Sequence, residues 1–218
     1  MGHVWKFAGI DVGGKKKGFH LVGLSEYGSL QSRHVLTPED AALAVKSWGV
    51  HVVAVDAPMS WAAVGRSRVS EQKLEFFGIH CFKTPCESVA RDRPFYDWVR
   101  NGLALYDVLG QHEYRRPKEL PKADKGSLRM IETFPHAVAR RLSVSESTGR
   151  SKVRFRRQVL REYGIDESQL RNIDFVDAAL CALLARIYLE QGESATESPG
   201  DIEEGMFIPI RKVNVGGS

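Results

Sequence analysis

Cysteine is scarce in this chain: Cys81, Cys86 and Cys181 are the three in 218 residues, an odd number at no spacing that a disulfide framework uses. That excludes a small cross-linked secreted scaffold and fits a reducing compartment. Cys81 and Cys86 follow His80, but a fourth ligand at zinc-site spacing is lacking, so plain buried or half-buried thiols are the better account. No run of about 18 apolar residues occurs, which argues against membrane insertion. The N-terminus lacks the charged-then-apolar pattern of an export signal, so a cytoplasmic location is the expectation. Periodic repeats are missing as well.

What is present suffices for a substantial core. With 43% hydrophobic residues, the chain fits one large domain or two small ones. It reads as a single domain over 1–218 with an insertion over approximately 60–127. The net charge of +4, with pI about 9.0, is unevenly spread. Lys15, Lys16 and Lys17 crowd one turn, Arg115, Arg116, Lys118, Lys122 and Lys125 a middle stretch, and Lys152, Arg154, Arg156, Arg157 and Arg161 a later one. The tail is acidic at Glu193, Glu197, Asp201, Glu203 and Glu204. Basic clusters beside carboxylates suit a polyanionic partner such as nucleic acid. Each cluster taken singly is better read as a solvated loop or helix face.

The stretch AGIDVGGKKKGFHLVGL, residues 8–24, organises the N-terminal part. Its apolar start suits a buried strand, Gly13 and Gly14 supply turn chemistry, and residues 19–24 fold back as the second strand of a hairpin. Asp11 ends the first apolar run, either as a turn-former or as a group kept for a ligand. A third strand is expected over 31–36. Thr37 and Pro38 then open a helix whose apolar stripe is Ala41, Leu43, Ala44 and Trp48, stopped by Gly49. The β-branched run 50–55 reads as a strand buried on both faces, and again delivers an acid, Asp56, before Pro58.

Residues 60–127 mix helix signals, 70–77 and 95–109, with breakers, and residues 117–126 read as a loop. LRMIETF, 128–134, gives a further strand with Glu132 near its end. Pro135 opens the next helix, residues 143–151 form a Ser-rich loop, and 152–163 form a basic helix ended by Gly164. The mostly apolar DFVDAALCALLARIYLEQG reads as a well-buried helix with Asp174 as N-cap and Asp177 at its third position. The run EGMFIPI, 204–210, is expected to pack on the sheet.

Three buried strands thus end in Asp11, Asp56 and Glu132, and one buried helix begins with Asp174 and Asp177. Adjacent strand ends would gather several of these acids, and gathered carboxylates repel unless a cation compensates. A pair of Mg²⁺ or Mn²⁺ ions is the natural compensation, since such ions prefer oxygen ligands and keep substrate phosphates in their shell. Two ions about 4 Å apart can activate water and stabilise a leaving oxygen. The chemistry expected is metal-assisted phosphodiester hydrolysis on nucleic acid, DNA or RNA.

The order of hairpin, third strand, helix, strand with Asp56 and late acidic helix resembles the RNase H-like superfamily. The last helix is similar to that of Holliday-junction resolvases of the RuvC type. GIDVGG, VAVDAP, IETFPHA, DFVDAAL and EGMFIPI together resemble domain-of-unknown-function family 429, predicted nucleases of that superfamily. The resemblance implies an α/β, RNase H-like mixed sheet with an antiparallel three-strand start, then parallel strands, flanked by helices. It further implies Asp11 and Asp56 as metal-binding acids of the sheet and Asp177, assisted by Asp174, as the contribution of the helix. Glu132 matches an acid of the smaller family. The segments Arg66-Ser-Arg68-Val-Ser-Glu71 and Phe82-Lys83-Thr84-Pro85 are loose counterparts of that family's Arg- and Cys-containing stretch.

Two other classes compete. GIDVGG also opens sugar kinases and other actin-like ATPases, where the glycines let backbone N–H groups approach phosphate. Those proteins duplicate the fold and add a Gly-rich adenosine loop, and neither is found here. The other class is a non-catalytic RNase H-like module that binds nucleic acid or protein, against which five uncompensated carboxylates argue. Trp61, Phe95, Tyr96 and Trp98 could stack on bases, with packing of the insertion the role expected of them.

Overall fold

Strands β1 (Trp5–Val12) and β2 (Phe19–Ser25) form the expected hairpin, with Asp11 directly opposite His20. The computed structural model describes residues 5–117, 127–143 and 151–211. Gly18, rather than Gly13 or Gly14, takes the left-handed conformation at φ 65°. Its N–H donates to the Gly14 carbonyl at 3.0 Å, while the Gly13 N–H donates to the Gly18 carbonyl at 2.8 Å. Gly13 serves by lacking a side chain: a Cβ there would stand 2.5 Å from the stem of Lys17, which folds back over it.

Strand β3 (Leu30–Val35) pairs antiparallel with β2 and is the sheet's exposed edge. Helix α1 (Pro38–Ser47) is capped by Thr37, whose hydroxyl accepts from the Asp40 N–H at 3.1 Å, and Gly49 follows at φ 71°. Its buried face is Ala41, Ala42, Ala44 and Val45. Leu43, expected in that stripe, faces solvent, because the small residues seat the helix close to the sheet. Strand β4 (Val52–Asp56) runs parallel to β1 with Asp11 in register with Asp56. After α2 (Val69–Phe76), the one-turn α3 (Glu87–Ala90) and α4 (Asp97–Gln111), strand β5 (Arg129–Glu132) adds parallel to β4. The fold is therefore an α/β mixed sheet of order β3-β2-β1-β4-β5, an antiparallel start followed by parallel strands.

Strand alternation divides the core. Phe7, Val22, Leu24, Val52 and Ala54 point to one face, where α5 (Pro135–Leu142), α6 (Lys152–Glu162) and α7 (Ile173–Gln191) pack. Ala8, Ile10, Leu21, Val53 and Val55 point to the other, covered by α1 and α4. The second half of the 60–127 stretch thus forms a layer of the sheet. A smaller cluster of Leu74, Ile79, Ala137, Met206 and Ile208 fastens α2 to α5 and the tail. After β6 (Thr196–Glu197) the tail runs beside β5, its Phe207 N–H donating to the Glu132 carbonyl at 2.9 Å, and β7 (Ile208–Pro209) returns to pair antiparallel with β6.

Helix α7 is buried nearly all round, as its apolar composition requires. It crosses β1 at backbone contact: a Cβ on Gly9 would stand 1.9 Å from the Ala178 carbonyl oxygen. This crossing brings the first turns of α7 over the ends of β1 and β4. Among the described residues no helix is long and apolar enough to cross a membrane. The expected loops at 117–126 and 143–151, apart from Pro117, Ser143 and Ser151, lie outside the described residues, as do Lys118, Lys122 and Lys125.

Candidate metal centre

Asp11 and Asp56 share a register position on neighbouring parallel strands, and α7 delivers Asp174 and Asp177 to the same end of the sheet. One oxygen from each of Asp11, Asp56 and Asp177 lies within 4.8 Å of the others. A second group, Asp11, His20 and Asp174, meets the same criterion, so Asp11 belongs to both. Four of the acids expected from the sequence therefore converge, joined by a histidine that sequence reasoning missed. The hairpin register was the signal for it: closing residues 13–18 as the turn puts residue 20 opposite residue 11.

His20 Nδ1 lies 4.0 Å from Asp11 Oδ2 and Nε2 3.9 Å from Asp174 Oδ2. The ring meets Phe175 edge to face, and Nδ1 is buried with no hydrogen-bond partner among the described residues. A buried ring nitrogen facing carboxylates in this way could serve as a metal ligand. Burial lowers the pKa of His20 against the pull of Asp174, which favours the neutral, ligating form.

Part of the positive charge that the sequence reading assigned to metal ions comes from the protein itself. Lys17 Nζ lies 3.0 Å from Asp11 Oδ2 and 2.9 Å from Asp174 Oδ1, and Arg156 Nη1 donates to Asp177 Oδ1. Even so, burial raises Asp11 to about 6 against the effect of Lys17, with Asp177 and Asp174 adding to the rise. Asp56 is pushed well above the carboxylate range, by burial first and then by Asp11 and Asp177. Asp177 is raised by burial, opposed by Arg156. For Lys17, burial works against the charge, but Asp11 and Asp174 outweigh it and raise its pKa. Further positive charge is what this centre calls for.

Asp174 is not the N-cap of α7. Asn172 takes that place, its side-chain oxygen accepting from the Phe175 N–H at 3.0 Å, which leaves the Asp174 carboxylate to Lys17 and His20. Glu132 lines the same cleft but stands apart from both ligand groups. Its Oε2 accepts from Arg68 Nη1 at 2.7 Å and from the Met59 N–H at 2.7 Å, and its Oε1 from Arg68 Nη2. Arg68 Nε also donates to Glu71 at 3.0 Å, and Glu71 accepts from the Thr84 N–H at 2.8 Å. The segments 66–71 and 82–85 thus meet around Glu132 in one buried network. It fixes the wall of the cleft.

The cleft encloses about 400 Å³, with Lys152 and Arg156 on its basic side. Other members of the later basic cluster are structural: Arg157 and Arg161 both bind Glu167. Neither ligand group contains a cysteine. Cys81 is half-buried in the cleft wall, its thiol pushed up to about 12 by burial.

A family model described as "Protein of unknown function (DUF429)" matches residues 9–204, and the chain belongs to that family. No curated protein and no solved structure matches it significantly.

Proposed function

We propose that this member of the DUF429 family is a metal-dependent nuclease of the RNase H-like superfamily, hydrolysing phosphodiester bonds in nucleic acid with two divalent cations, Mg²⁺ or Mn²⁺. The observation that carries the reading is the pair of ligand groups hinged on Asp11. Carboxylate oxygens with one imidazole suit a hard divalent cation, and the orphaned His20 Nδ1 and the raised Asp11 and Asp56 fit its arrival. The succession of hairpin, third strand, helix, strand and late helix supports the superfamily reading.

Asp11, Asp56 and Asp177 would hold one cation, and Asp11, His20 and Asp174 the other. Bound there, the ions would supply an activated water on one side of the phosphorus and charge stabilisation of the leaving oxygen on the other. Arg156 fixes the Asp177 carboxylate. A cation held by Asp11, His20 and Asp174 would compete with Lys17 for the same carboxylate oxygens. The Lys17 stem is flexible and its side chain 44% exposed, so the ammonium is free to turn to a substrate phosphate oxygen.

The kinase-like alternative is weakened by Gly13, whose N–H is spent on the Gly18 carbonyl and whose carbonyl accepts from Asn101 Nδ2 at 2.8 Å. One observation favours a non-catalytic module: Lys17 and Arg156 already offset part of the acidic charge, so the centre can fold without metal. Cleavage separates the two. Labelled single- and double-stranded DNA and RNA are incubated with Mn²⁺ or EDTA, using the wild type and Asp56→Asn. The nuclease reading expects Mn²⁺-dependent cleavage reduced at least about 100-fold in the variant. Mn²⁺ binding without cleavage of any substrate would favour the module.

A further inference from the structure

Trp61, Tyr96 and Phe95, expected to pack the insertion, form together with Phe82 a file of rings beside the cleft. Trp61 meets Tyr96 with centroids 6.3 Å apart, Tyr96 meets Phe95 at 5.1 Å and Phe95 meets Phe82 at 5.5 Å, each edge to face. Each edge-to-face contact fixes two rings relative to one another and covers one face of only one of them. Phe82 is 69% and Phe95 55% exposed, and both line the cleft that holds Asp11, Asp56 and Asp177. Trp98, half-buried one turn on, lines the same cleft and packs on the core layer beneath it, as expected of it. Exposed rings concentrated at a charged site mark a contact surface rather than core.

The surroundings say what the rings contact. On the acid side, the turn carrying Lys15, Lys16 and Lys17 is tied to α4 by the Asn101–Gly13 hydrogen bond, so it stands beside the aromatic segment. Tyr96, next to Phe95 in the file, lines a second cavity of about 400 Å³ together with Arg66, Lys83 and Arg93. Lys83 is shared there with Glu75 at 2.9 Å. Acid centre, aromatic ridge and cationic cavity therefore follow one another along one surface. Phosphate, base and phosphate recur in that order along a polynucleotide. In a duplex the base faces are stacked on each other and unavailable to a protein ring, whereas an unpaired base presents its face freely.

From this succession we propose, building on the nuclease reading, that the substrate is a single-stranded segment of nucleic acid. One unpaired base stacks on Phe82 and Phe95 while its phosphate lies at the acid centre, and the strand continues over Tyr96 into the cavity of Arg66, Lys83 and Arg93. Stacking is indifferent to base identity, so the preference is for strandedness rather than sequence.

The test is fluorescence anisotropy with a fluorescein-labelled oligonucleotide of roughly 12 nucleotides, free or annealed as a blunt duplex, with Ca²⁺ as the divalent ion. The Mn²⁺-induced rise in Tm is measured on every protein used. The wild type is expected to bind the single strand at least about tenfold more tightly than the duplex. Phe82→Ala with Phe95→Ala should remove most of that preference and keep the Mn²⁺ response, and Phe82→Tyr with Phe95→Tyr should restore it. Arg66→Gln with Arg93→Gln should weaken single-strand binding and flatten its salt dependence. Equal affinity for the two forms, or an alanine variant that binds like the wild type, overturns the inference while an intact Mn²⁺ response leaves the metal reading standing. Loss of the Mn²⁺ response in the wild type would instead strike the metal reading itself.

Discussion

Lys17 closes onto Asp11, its Nζ 3.0 Å from Oδ2, and from the same position reaches Asp174 at 2.9 Å. A single ammonium thus bridges two carboxylates of the second ligand group. Since a cation and this ammonium compete for the same oxygens, Lys17→Met should bind Mn²⁺ roughly tenfold more tightly at pH 8. The pair is partly solvent-screened, so the metal-free variant should lose no more than about 1 kcal/mol. Titration calorimetry and denaturant unfolding in EDTA measure the two effects. Weaker Mn²⁺ binding in the variant would show that Lys17 is no competitor.

Protons compete as well. Asp11 is raised from an ordinary 3.8 to about 6, so the folded protein holds this proton more tightly than the unfolded chain does. The associated stability is fully present below about pH 4 and is lost as pH rises through 6, a difference of about 3 kcal/mol for this one group. Asp56, raised further by burial, acts with the same sign. In EDTA, Asp11→Asn should therefore gain on the wild type by about 1–3 kcal/mol between pH 5 and pH 7.5. Divalent metal should raise Tm strongly at pH 7.5 and weakly at pH 5. A stability difference independent of pH would show that Asp11 is not perturbed.

The network of Glu132, Arg68 and Glu71 makes a different prediction, because it is almost wholly buried. Arg68→Met leaves two buried carboxylates without their cation and should cost about 3–5 kcal/mol in denaturant unfolding. Adding Glu132→Gln should recover part of that loss. At a temperature where the single variant is folded, its Mn²⁺-induced Tm rise should persist, since Glu132 lies outside both ligand groups. Loss of the Mn²⁺ response alone, with stability intact, would move Glu132 into the metal centre.

Much of the scaffold was legible in the sequence because it is written in local periodicity and end signals. The run 50–55, the Thr37–Pro38 opening of α1 and the apolar length of α7 each specify an element with little help from the rest of the chain. Asp11, Asp56, Asp174 and Asp177 stood out because an acid ending a buried run is anomalous locally. The partners were not legible, because they are matters of long-range geometry. Arg68 reaches Glu132 across 64 residues and Arg156 reaches Asp177 across 21, and nothing local marks either arginine. His20 sits in an ordinary strand, and its role arises from the hairpin register. Asn172 displaced Asp174 as N-cap two positions earlier, a competition between two good caps that sequence preference does not decide. Phe95, expected to pack the insertion, is exposed, whereas Trp98 packs on the core as expected, a difference of tertiary position that hydrophobicity alone does not decide.

The central claim is that Asp11 anchors two divalent cations. Crystals grown with Mn²⁺ and measured at a wavelength where manganese scatters anomalously test it directly. Two peaks about 4 Å apart are expected, both about 2.2 Å from Asp11 oxygens, one also bound by Asp56 and Asp177 and the other by His20 and Asp174, with Lys17 turned away. A map without a peak between these side chains, with Lys17 still closed on Asp11, would contradict it.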